Sequence, residues 1–324
     1  MSNTIEAGNR QHWADSLRGL AVVLVVLQHA SGVPQVVIGQ ESPGRVWEVV
    51  MAALAPFRIP TLLILSGLLL PRSVAKPFSV YVDGKVRKVL WPFVVWSVLT
   101  VLAAGTSDPR AMGFWLWAGG VFHMWYLSVL LVGYAIGVVV RWVPGWIPAV
   151  LFIAILGFGD PSTNTIRRAL FYGCIFFIGA TLAPALRRWL GARMKWAVAA
   201  SIFGLVVAGM AAMGMVSITP EVPWSFLLAL PGVLAVIWGW CRLPRMLSLE
   251  AIGRRSMVLY CVHFPVQIVV AHFFAGVGLV EPTLAVPISF IVGLLVPLAL
   301  MTVYAKIEWL FVMPRMPLLK SVAA

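Results

Sequence analysis

Arg18, His29, Arg58, His123 and His263 are ionisable side chains set in stretches that are otherwise apolar, and Lys85, Arg87 and Lys88 add a short block of cations. An imidazole titrates near neutral pH, so it can take a proton from a hydroxyl or attack a carbonyl itself. Guanidinium and ammonium groups hold phosphates and stabilise a developing oxyanion. Together these residue types suit a base acting on a hydroxyl, with cations to hold an anionic or phosphorylated partner. Arg18 and His29 share one apolar stretch, Trp13 to Ala30, and stand eleven positions apart. On a helix that is about three turns, so both side chains fall on nearly the same face, roughly 16 Å apart.

Each position also has a structural reading. A cation in the first turns of a helix opposes the macrodipole, so Arg18 either snorkels to the inner interface beside Asp15 or clamps an anion. His29 is a hydrogen-bonded packing residue or a general base. Arg58 falls near mid-depth between Pro56 and Pro60, which are expected to interrupt helical hydrogen bonding and make the backbone irregular. A buried Arg58 needs an anion, several carbonyls or pairing with Glu48. His123, beside Trp125 and Tyr126, fits an interfacial aromatic belt as well as a reactive site. His263 lies buried two residues before Pro265. Lys85, Arg87 and Lys88, followed by Trp91 and Pro92, serve topology and lipid headgroups or dock a phosphorylated cofactor. His12 and His272 receive no role.

The elements that must position these groups are membrane helices. Of the 324 residues, 61% are hydrophobic and 11% charged, and the mean hydropathy is +0.96. Soluble domains carry about 25% charged residues, so this chain cannot clothe a water-facing surface. Apolar runs predict about ten spans, at 13–31, 47–70, 89–104, 123–140, 146–159, 169–186, 196–216, 225–241, 257–276 and 284–304. The fifth is short for a crossing, and 112–120 is apolar enough to lie in the interface. With the N-terminus inside, eighteen of the Lys and Arg residues fall in inner segments. Four fall outside (Arg45, Arg110, Arg167, Arg168), and Arg18 and Arg58 sit within spans. That asymmetry places both termini on the cytoplasmic side. The expected fold is an all-α polytopic membrane protein, a single bundle with residues 1–324 in one membrane-embedded domain and no separate soluble domain.

The net charge of +13 follows from this positive-inside pattern, and nucleic acid is not expected as a partner; membrane lipids are. Cys174, Cys241 and Cys261 lie in apolar runs without CxxC spacing, so neither disulfides nor a metal site is expected. The polar N-terminus lacks the pattern of a removable signal peptide. No internal repeat is visible, and nothing in the sequence sets an oligomeric state.

The motifs in sequence resemble the acyltransferase-3 family of integral membrane O-acyltransferases. Arg18 and His29 match its Arg-x10-His pattern, with Arg-Gly-Leu-Ala at 18–21. Phe57-Arg-Ile-Pro60 with Ser66-Gly67 is similar to its second-helix motif, and Lys85-Val-Arg-Lys-Val-Leu-Trp-Pro92 to its basic loop before the third span. His123-Met-Trp-Tyr-Leu127 and Ser256-Met-Val-Leu-Tyr-Cys-Val-His-Phe-Pro265 resemble two later segments. The resemblance extends from residue 13 to about 270. Leu68 stands where Phe is common and Ser128 where Pro is frequent; neither removes an ionisable group.

The resemblance implies a cytoplasmic acyl-CoA donor, commonly acetyl-CoA, and a hydroxyl acceptor on a cell-envelope glycan or lipid-linked molecule, in a bacterial inner membrane. It implies donor binding by Arg18, Lys85, Arg87 and Lys88, with which His263 is grouped. His29 would deprotonate the acceptor or carry the acyl group, and Arg58 or His123 would stabilise the oxyanion. Some relatives carry a further soluble hydrolase-like domain; here transfer is expected within the membrane domain or by handing over to another protein. The alternative from another class is a transporter of an envelope precursor or organic anion, with Arg58 holding substrate and His29 relaying protons. A non-enzymatic scaffold is the third reading, and it predicts that the buried Arg and His residues are replaceable.

Overall fold

Long apolar segments free of charge have one way to satisfy their backbone in lipid, which is to close every hydrogen bond within a helix. The computed structural model follows this rule, and among the described residues all regular structure is helical. The structure describes residues 11–105, 122–159, 161, 163–279 and 281–315. The stretch 112–120 expected in the interface lies outside them, as do Arg10, Arg110 and Lys320.

The helices are α1 (His12–Ile38), α2 (Arg45–Gly67, continued by Leu70–Val74), α3 (Phe78–Ala103), α4 (Trp125–Val139), α5 (Trp146–Phe158), α6 (Asn164–Leu182), α7 (Met194–Ala212), α8 (Phe226–Trp240), α9 (Leu247–Arg254), α10 (Ser256–Gly276) and α11 (Pro282–Thr302). Among the described residues eight helices are long and apolar enough to cross a membrane, and α5 and α8 are shorter apolar helices. Every span expected from the sequence overlaps one of these ten. Large apolar side chains such as Phe158 and Leu205 point outward, 94% and 73% exposed, as a lipid-facing surface requires.

α1 is the centre of the site-bearing half, packed against α2, α9, α10 and α11. At 27 residues it is about 40 Å long, more than a hydrocarbon core of about 30 Å. It ends where Gly39 adopts φ 66° and returns its N–H to the Pro34 carbonyl. The left-handed backbone there suits glycine.

Two departures from the sequence reading have physical causes. Pro56 and Pro60 do not make α2 irregular; the helix is continuous from Arg45 to Gly67. The prolines stand four residues apart, so the carbonyl left without a donor by Pro60 belongs to Pro56. Both rings are buried against neighbouring helices, which support a Pro-containing span. The basic segment before the third span is helix rather than loop. Pro92 would clash with the Lys88 carbonyl four residues back, and one π-turn at Val86–Leu90 absorbs the misfit, with the Trp91 N–H bonding to Val86 O.

α9 was not expected as an element. It is amphipathic and lies against the first turns of α1. A Cβ on Gly253 would collide with the Asp15 carbonyl, and one on Gly19 with the Leu249 carbonyl, so the two glycines let the backbones touch. After α11 the chain turns back over α3. The indole N–H groups of Trp91 and Trp96 donate to the carbonyls of Trp309 (2.6 Å) and Leu310 (3.1 Å), and Phe311 stacks on Trp96. Arg87 donates Nε–H to Met313 O at 2.8 Å, while its own carbonyl accepts from Met313 N–H at 3.0 Å.

Candidate active site

The residues singled out in the sequence separate into an inner pocket and a deeper imidazole cluster. The pocket is a cavity of about 260 Å³ lined by Arg18 and Val22 of α1, Ser66 of α2, Tyr126 of α4, and Arg254 and Tyr260 on either side of the α9–α10 junction. Arg18 reaches Asp15 at 3.6 Å and stays partly exposed, so the snorkelling pair and the open cation coexist in one side chain. Arg254 lies 3.9 Å from Glu250, a carboxylate only 1% exposed. Glu250 also accepts from Arg245 Nε and Nη2 at 3.0 and 2.8 Å, and His12 Nδ1 lies 3.0 Å from it. The hydrogen bonds from Arg245 hold the Glu250 carboxyl down to about 2. α9 is thus fixed to α1 by backbone contact and a shared ion network, and Arg254 is carried to the pocket rim as a result.

Of the basic segment, Lys85 places Nζ 3.4 Å over the ring of Tyr134, which lines the pocket. Arg87 is committed to Met313 O and to Asp83 at 3.7 Å. Lys88 is exposed. The structure therefore brings Arg18 and Lys85 to one pocket and turns Arg87 to a structural contact. At the deep end, Ser66 donates to Leu62 O at 2.8 Å and meets the Tyr126 hydroxyl at 3.3 Å. Tyr260 donates its O–H to the His123 carbonyl. Its ring lies 5.2 Å from the His123 ring and 6.2 Å from that of His263, so Tyr260 is the wall between pocket and imidazoles.

Beyond that wall His29, His123 and His263 meet. His29 Nδ1 and His263 Nε2 are 3.0 Å apart with the rings stacked, and His263 Nδ1 is 2.9 Å from Leu259 O. His123 sits 5.2 Å from His263 and 6.4 Å from His29, ring centre to ring centre. Phe264 stacks on His123 at 4.5 Å and meets His29 in a T-shaped contact at 5.0 Å. The turn before His123 is unusual, since Phe122 has φ 46°, a region rarely occupied by non-glycine residues. Its ring packs on Phe264 at 5.5 Å, which holds the turn in place. His123 is 2% exposed, and neither ring nitrogen has a hydrogen-bond partner among the described residues. An unsatisfied buried polar atom costs about 1–3 kcal/mol, which marks this ring as a candidate for contact with a bound group. His263, grouped with donor binding in the sequence reading, lies against His29 rather than among the cations.

Arg58 directs Nη1 towards Met51 Sδ, 3.7 Å away, and lies within electrostatic reach of His29 and Tyr172. Glu48 pairs with Arg45 at 3.9 Å instead. The guanidinium thus points towards the N-terminal end of α2. Among the described residues no group of three or more His, Cys, Asp or Glu is arranged to hold a metal, and the three cysteines are free. Sequence reasoning missed Arg254, Tyr126 and Tyr260. Tyr260 lay inside a quoted motif, and the amphipathic pattern of 247–254 was the signal for Arg254.

With this geometry in hand, the comparisons carry one result. The acyltransferase-3 family model, described as an acyltransferase domain, matches residues 11–302. The chain belongs to the acyltransferase-3 family. The match spans both the Arg18 pocket and the histidine cluster, and with the apolar helices it makes the chain an integral membrane acyltransferase that works between an acyl donor and an acceptor. No curated protein and no solved structure matches this acyltransferase.

Proposed function

We propose that this acyltransferase moves an acyl group, acetyl in the simplest case, from acyl-CoA on the cytoplasmic side to a hydroxyl of a cell-envelope sugar, polysaccharide or lipid-linked acceptor. In this reading the chain is one membrane-embedded domain of ten spans with both termini cytoplasmic, in a bacterial inner membrane. Arg18, Arg254, Lys85 and Lys88 hold the donor phosphates at the inner face, while the extended arm of the donor occupies the pocket. A cavity of about 260 Å³ suits a thin arm, with the nucleotide left outside among the cations.

His29 takes the proton of the acceptor hydroxyl. The acceptor oxygen then bonds to the thioester carbonyl carbon, the C–S bond breaks, and the departing thiolate recovers the proton. An acyl group carried on His29 is the variant of this scheme. His123 donates to the carbonyl oxygen as charge builds there, and Arg58 adds positive potential from the outer side. The observation that carries the reading is Tyr260, which lines the cation pocket and is hydrogen-bonded to the segment presenting His123. Donor and base are thereby separated by one side chain.

The test is mass spectrometry of envelope glycans and lipids from cells with the chain and cells carrying its His29→Ala form. A component heavier by one acyl group in the first alone is expected. Identical envelopes from correctly inserted protein would overturn the assignment.

A further inference from the structure

We infer that His263 is a positioning residue that fixes the proton of His29 on Nδ1 and so makes Nε2 the nitrogen that reacts. The inference rests on the reading of His29 as the base and deepens it. It follows from what each atom can do. Leu259 O, 2.9 Å from His263 Nδ1, is a carbonyl oxygen and can only accept, so His263 Nδ1 carries a proton. His263 is 0% exposed, and none of its described contacts is to a carboxylate. Sealed, unpaired surroundings accommodate the neutral ring, whose Nε2 then holds only a lone pair. That lone pair faces His29 Nδ1 at 3.0 Å. The hydrogen between the two rings therefore belongs to His29, and the Nε2 lone pair of His29 is left unspent. Which nitrogen of an imidazole is basic is set by the bond the other one makes.

A second contact keeps the two rings at this distance. Gln267, one turn beyond His263 on α10, donates Nε2–H to the carbonyl of Val26, close to one turn before His29 on α1, at 3.1 Å. The pair of helices is thus joined by a second hydrogen bond close to the imidazole bond. The chemistry of the acceptor matters as well. A carboxylate opposite His29 Nδ1 would stabilise the imidazolium strongly once the substrate proton arrives. A neutral imidazole nitrogen supports the same geometry with a weaker hold, so the proton is released readily to the leaving thiolate.

The test uses the full chain in lipid nanodiscs with ¹⁵N-labelled histidine, and two substitutions. In the unsubstituted protein the ¹⁵N shifts of His29 should report Nδ1–H. His263→Gln can still offer a carbonyl oxygen to that proton and should keep it there, whereas His263→Leu should lose it. With acetyl-CoA as donor and an envelope glycan extract as acceptor, His263→Leu should lower kcat about a hundredfold, within the range of a displaced general base. Its donor KM should stay within about twofold, as expected when only the transition state is affected. His263→Gln should retain kcat within about tenfold. Nε2–H on His29 in the unsubstituted protein overturns the inference, whatever the activity. So does a His263→Leu protein with full kcat, or a folded His263→Gln protein as slow as His263→Leu. Activity in His29→Ala overturns the underlying reading of the base instead, which separates the two failures.

Discussion

At the inner end of the pocket the ionisable groups are committed to one another. Arg18 reaches Asp15, Arg254 reaches Glu250, and Arg245 and His12 share the same buried carboxylate. Beyond Tyr260 the pattern reverses. Three imidazoles are gathered without a carboxylate among their described contacts, and neither nitrogen of His123 meets the hydrogen-bond geometry with a described residue. The first arrangement holds cations in place against buried carboxylates, while Arg18 and Arg254, at 3.6 and 3.9 Å from theirs, keep N–H groups for a ligand. The second leaves polar atoms unused, which costs stability and is the kind of strain that gathers at functional sites. In the proposed scheme, recognition by charge and reaction by neutral nitrogen thus fall to neighbouring parts of one site.

The largest effect should come from the imidazole side. His29→Ala should lower kcat by about 10²–10⁴, the span of a general base, with acyl-CoA binding nearly unchanged. Equal losses of turnover and donor affinity would erase the division between the regions. On the cation side the expectation inverts. Arg18→Ala should weaken acetyl-CoA binding by about ten- to a hundredfold, the equivalent of one charged hydrogen bond, and kcat at saturation should move far less. Calorimetric titration reads the affinity directly, and an unaltered Kd would remove Arg18 from the donor site.

The smallest effect concerns the ion network on α9. Glu250 is held at about 2, below the usual carboxylate value of about 4.3. A lowered folded-state value adds stability that is complete above about pH 4.3 and disappears as pH falls towards about 2. Thermal melting of the detergent-solubilised protein should follow that window, and Glu250→Gln should flatten it. An identical acid profile in the variant would show that the network does not brace the pocket.

Much of this arrangement is legible in the sequence because burying charge in lipid is costly. Arg18, His29, Arg58 and the late His263 stand out against apolar runs, and their spacing assigns Arg18 and His29 to one face of α1. Partners do not stand out in this way. His29 and His263 are 234 positions apart, and only packing of α1 on α10 brings their rings together. The four arginines at 242–255 satisfy the topology rule equally well as a loop, so α9 and the role of Arg254 stay hidden behind a sufficient simpler account. Pro56 and Pro60 mislead in the other direction, because a helix supported by its neighbours survives losses that would break an isolated one.

The clasp of residues 309–313 on α3 also sets an order of assembly. The indole of Trp91 finds its carbonyl 218 residues later, and Arg87 finds its own 226 residues later. During synthesis α3 enters the bilayer before these donors have their partners. They stay open until residues 309–313 have been made, so this end of the bundle is finished after α11.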